Sequence, residues 1–225
     1  RWILLDHPYM LIMSRFRSIL ASTVLVALAL SLFSVDAQAQ YWRKKAQVIA
    51  PVDPGTPTIA LLDTLVSYIE DQDSLKVRRS PEDPKMYSAS ELQDELLDQH
   101  SIAMTSASNV FIDYQFDLNR SGFSEKINAL QFIFRSQGTA EDDISIMYVN
   151  AKRQDWLTRI LTQKGTTGEN LMALSTFRDQ LSFPRVVRNM NAKITRIGNE
   201  AVRDGFESKK DELVREITQL TYQSR

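Results

Sequence analysis

The sequence predicts an α+β protein, mainly helical, with two or three short strands in the middle of the chain and a long helix at its C-terminus. Three observations carry that prediction. Val110 to Leu118 alternates apolar and polar residues, the period of a half-buried strand. Helical spacing dominates the segments on either side. Near the C-terminus Val187, Met190, Ile194, Ile197 and Ala201 step by three and four residues in turn, the spacing of a helical packing seam.

The sequence does not begin with Met, and residues 1–12 read as upstream residues ahead of a start at Met13, with Met10 as the alternative start. Residues 13–39 read as a secretory signal peptide. Arg15 and Arg17 precede an uncharged apolar run from Ile19 to Phe33, and Ala37-Gln38-Ala39 puts small residues where signal peptidase cuts. The run is shorter than the roughly 20 residues of a membrane span. The expected mature chain starts at Gln40, with no membrane span, in the periplasm or outside the cell.

Residues 40–57 read as a flexible linker, because three consecutive cations are followed by Pro51, Pro54, Gly55 and Pro57. Residues 58–225 are then expected to form a single mainly helical α+β domain. A first helix is expected over Pro57–Glu70, with Thr56 as N-cap and Pro57 at the first helical position. Ser88-Ala89-Ser90-Glu91 spells a capping box opening a second helix with an acidic outer face. Over residues 124–137, Phe123, Ile127, Leu130 and Phe134 favour a helix, while the alternation of Leu130, Phe132 and Phe134 leaves a strand open. Ile144–Val149 reads as a buried strand and Arg153–Gln163 as a short helix. From Glu169 onward the pattern reads as helical. A continuous helix from Pro184 to Tyr222 would be about 58 Å long, against a domain diameter of about 35–40 Å.

Composition narrows the chemistry. The chain has no cysteine, which removes disulfides, thiolate nucleophiles and cysteine metal sites. Beyond residue 39 its one histidine is His100, too few for a histidine-rich zinc site. The net charge is −1, so bulk charge does not argue for a nucleic-acid partner.

One motif suggests a ligand. Asp117, Asn119, Ser121 and Glu125 fall at positions 1, 3, 5 and 9 of a calcium loop, with Gly122 at position 6. Position 12, which should be a bidentate acid, is Asn128, so a strand-to-helix turn is the competing reading. His100 lacks a neighbouring nucleophile motif, Glu141-Asp142-Asp143 reads as a solvated charge run, and Asp113 and Asp117 lie about 13 Å apart along one strand.

The expected function follows mostly by exclusion: an exported, non-enzymatic envelope or secreted protein that binds or scaffolds a macromolecular partner, or a second copy of itself, through the C-terminal helix. Val187, Met190, Ile194, Ile197, Leu213, Ile217 and Leu220 are the residues expected to meet that partner. The alternatives are a periplasmic small-molecule or calcium-binding protein and a carboxylate-based hydrolase. No cofactor other than calcium is suggested.

Overall fold

The alternating run at Val110 does form a strand, but it lies inside a much larger sheet than the sequence suggests. The computed structural model describes residues 42–119, 122–135, 143–164, 175–202 and 207–223. The sheet is antiparallel and six-stranded: β1 (Trp42–Pro51), β2 (Asn109–Asn119), β3 (Gly122–Phe134), β4 (Ile144–Asn150), β5 (Lys193–Ile197) and β6 (Glu200–Ala201), in the order β4-β3-β2-β1-β5-β6. This overturns the mainly helical fold with two or three central strands.

The expected linker is one of the two central strands. β1 pairs with β2 from Trp42 opposite Leu118 to Pro51 opposite Asn109, and its other edge pairs with β5. Ala46, Val48 and Ala50 alternate and are buried. Proline is tolerated because Pro51 sits at the strand's end.

Residues 124–137 were favoured as helix, and the described part of them is strand. β3 folds back on β2 as a hairpin in which Asn119 lies opposite Gly122. Gly122 has φ +112°, which only glycine adopts freely. A bulge at Asn128 explains the misleading period. Ile127 opposes Tyr114 and Ala129 opposes Asp113, so Asn128 is the extra residue. Ile127 and Leu130 therefore point to the same face although three residues apart. Parallel pairing of Val110–Leu118 with Ile144–Val149 through an intervening helix, the α/β alternative the sequence leaves open, is ruled out because β3 lies between β2 and β4 and is antiparallel to both.

The long C-terminal helix does not form either. Its expected span contains a short helix, a β-hairpin and a separate final helix. Residues 203–206, including Gly205, where the apolar register slips, lie outside the described residues. Asn191 takes a left-handed conformation (φ 51°) just beyond the short helix. Ile194-Thr195-Arg196-Ile197 then joins β1, with Gly198 (φ +64°) in the turn to β6. A second bulge, at Thr195, places Ile194 and Ile197 on one face at a helical spacing.

Six α-helices accompany the sheet among the described residues: α1 (Pro57–Glu70), α2 (Ala89–His100), α3 (Asp155–Leu161), α4 (Phe177–Gln180), α5 (Phe183–Asn189) and α6 (Glu207–Gln223). α1 spans the expected residues, with Thr56 as N-cap, although the Thr56 hydroxyl bonds to Asp53 O and the Thr58 hydroxyl rather than to a backbone N–H of the first turn. The capping box of α2 is formed: Ser88 Oγ accepts from Glu91 N, and Glu91 Oε2 accepts from Ser88 N.

All six helices bury apolar side chains in one cluster with Val48, Ile112, Tyr114, Phe116, Leu130 and Val149 of the sheet. Phe183 sets its ring edge-on to Tyr114 and Phe116, and the buried Tyr114 hydroxyl donates to Leu181 O at 2.7 Å. Among the described residues the helices therefore cover one face of the sheet. Tyr41–Arg225 form one unit, so the ordered chain begins well before residue 58. The signal-peptide segment and the residues before it lie outside the described residues.

Candidate functional site

The sheet face away from the helices is polar and strongly basic. In antiparallel pairs, directly opposed residues point to the same side. Arg43, Lys45 and Gln47 on β1 thus share a face with Asp117, Gln115 and Asp113 on β2. Lys126 joins them from β3, and Lys193 and Arg196 from β5. With Lys152 from the turn after β4, this side carries six exposed cations and two acids, Asp113 and Asp117, on a chain whose net charge is −1.

The two acids are held differently. Burial raises the pKa of Asp117, but hydrogen bonds from Arg43 (2.5 Å) and Gln115 (2.8 Å) outweigh it and hold the carboxyl below its usual value. Burial dominates at Asp113 and raises its pKa, against the Gln47 amide at 2.9 Å and the charges of Arg196 and Lys45. Asp113 lies in an open concavity of about 280 Å³ whose lining includes Lys45, Gln47, Asn128, Lys152 and Arg196. None of Lys45, Lys152 and Arg196 has a side-chain hydrogen bond or an ion pair among the described residues.

The expected calcium ligands are not brought together. Asp117 opposes Ser124 and faces the basic side, whereas Glu125 opposes Phe116 and faces the helices. Glu125 Oε1 accepts from Phe183 N at 2.7 Å, and burial lifts its pKa to about 7 against that bond. Asn119 is at the hairpin end, and Ser121 lies outside the described residues. No group of three or more His, Asp or Glu side chains with metal-binding geometry occurs among the described residues.

The expected partner-binding face is mostly interior. Met190, Ile194, Leu213 and Ile217 are buried, Val187, Ile197 and Leu220 are half-buried, and the seven come from α5, β5 and α6 rather than from one helix. No described helix is long and apolar enough to cross a membrane.

The other candidates have structural partners. His100 meets the Arg79 guanidinium, which also donates to Gln99 and Ser145. Asp143 forms a two-pronged pair with Arg135, while Glu141 and Asp142 lie outside the described residues. Trp156 stacks on Tyr68, and Phe132 is in the core.

The basic face was missed because its cations are scattered over 154 positions, from Arg43 to Arg196. The alternation Arg43-Lys45-Gln47 was the available signal, and it needed β1 to be recognised as a strand. No family model matches the sequence, and no curated protein matches it.

Proposed function

We propose that this is an exported, non-enzymatic protein that binds a macromolecular partner, and that it docks through the open face of the sheet. The observation that carries this reading is a sheet that the described helices cover on one side, whose other side gathers six cations, three of them with no side-chain hydrogen bond or ion pair among the described residues, around a concavity that also holds Asp113. Small-molecule sites are mostly apolar and enclose their ligand. This concavity is shallow and polar, and suits the contact surface of a larger acidic partner. Export is supported by the signal pattern of residues 13–39.

The docking test is site-specific photocrosslinking in the native cell. A crosslinking residue at Lys45 or Arg196 is expected to give a defined adduct, and one at the exposed Arg215 of α6 is expected to give none. Equal labelling from Arg215, or no adduct from the sheet face, removes the reading. Export is tested separately: N-terminal sequencing of the cellular protein is expected to begin at Gln40, and an intact leader in the cytosol sinks it.

A further inference from the structure

Two of the helices, α1 and α2, carry the opposite charge. Together they hold six acids, Asp63, Glu70, Glu91, Asp94, Glu95 and Asp98, and not one Lys or Arg. On α2, Glu91, Asp94 and Asp98 are exposed and follow the three- and four-residue spacing of one helical stripe. Asp94 and Asp98 have no ion pair among the described residues. Between them Leu97 is 48% exposed, one of three large apolar side chains so exposed among the described residues. The acidic ridge and the basic sheet face lie on opposite sides of the layered fold.

We propose that the occupant of the basic face is the acidic α2 ridge of a second copy of this chain, so that molecules stack head to tail. The proposal rests on the reading of the sheet face as a docking surface and names its partner. The dimensions agree. Twelve residues of α2 make a helix about 18 Å long, and the four strand spacings from β4 to β5 span about 19 Å. Asp94 and Asp98 supply carboxylates to Lys45, Lys152 and Arg196, three cations that have only Asp113 among them in the concavity and form no ion pair among the described residues. Leu97 supplies apolar contact, which the half-buried Ile49 and Phe111 receive on the same sheet face. The two surfaces differ, so the contact is heterologous. Each molecule keeps one free acidic and one free basic face, and the assembly grows into a ring or a filament rather than stopping at a symmetric pair.

The test uses protein expressed as the full chain and purified as the host processes it. One variant carries Lys45→Gln and Arg196→Gln, and the other carries Asp94→Asn and Asp98→Asn, so each loses the charge of one face without acquiring the opposite one. All four positions are exposed, and unchanged circular dichroism and melting temperature check that both variants fold. Light scattering on the wild type at low salt is expected to show mass rising with concentration. Screening at about 0.5 M salt is expected to weaken the association by about tenfold or more. Each variant alone is expected to stay monomeric. An equal mixture is expected to form a 1:1 dimer and stop there, because each variant brings the face the other has lost.

A wild type that stays monomeric, a variant that assembles alone, or a mixture that stays monomeric overturns the proposal. A defined crosslink from Lys45 to a different protein, with a monomeric wild type, overturns self-stacking while leaving the docking face in place.

Discussion

Glu125 sits with its carboxyl turned to the helical layer, and its ionisation sets part of the pH response of the fold. Below about pH 4.5 the group is protonated in both the folded and the unfolded chain and costs nothing. Between 4.5 and about 7 the unfolded chain releases the proton first, so stability falls as pH rises and then levels off. The drop is roughly 3 kcal/mol. Glu125→Gln keeps an oxygen for Phe183 N and removes the charge. It is expected to be the more stable protein above pH 7 and to flatten the slope in thermal melts. An unchanged slope would show that Glu125 does not carry it. Asp117 has the opposite sign: its lowered pKa adds stability at neutral pH that is lost as acid protonates it. At α2, Ser88→Ala removes an oxygen that caps Glu91 N and is expected to cost about 1 kcal/mol in denaturant unfolding.

At the scale of elements, the reading from sequence succeeded where local chemistry decides and failed where pairing does. The ends of α1 and the capping box of α2 are set by Thr56, Pro57, Ser88 and Glu91, and all could be read directly. β2 was legible because its alternation is unbroken. β3 and β5 were not, because a bulge at Asn128 and another at Thr195 put same-face residues three apart, as a helix would. A periodicity argument cannot separate these cases without the partner strand. The Gly198-Asn199 turn after a run rich in β-branched residues, Ile194, Thr195 and Ile197, was the usable clue at β5. The basic face was illegible for the same reason, since its residues converge only through strand order. Removing residues 40–57 would take out a strand that bonds on both edges and buries Ala46, Val48 and Ala50. The fragment 58–225 is therefore expected to lack a cooperative unfolding transition. A folded fragment with a sharp melt would contradict the place of β1 in the sheet.

Across the whole molecule, the near-neutral net charge conceals a separation into a basic sheet side and an acidic pair of helices, α1 and α2. Sequence composition gives no sign of a concentration of positive charge, and only the fold shows where it lies. With no cysteine in the chain, burial of one continuous apolar cluster must supply the cohesion that disulfides often supply outside the cell.

The position of β1 also dictates an order of events during synthesis. This strand is made early, yet its partners are residues 109–119 and 193–197. It must wait for about 60 further residues on one edge and for more than 140 on the other. Contacts so distant in sequence form late and slow the folding reaction. Until then an unpaired strand is exposed to other nascent copies, and the three cations at Arg43, Lys44 and Lys45 repel them, as gatekeeper charges beside an apolar strand do. The sheet can close only after β5 has been made, and a chain that cannot close early stays extended enough to be threaded through a narrow pore.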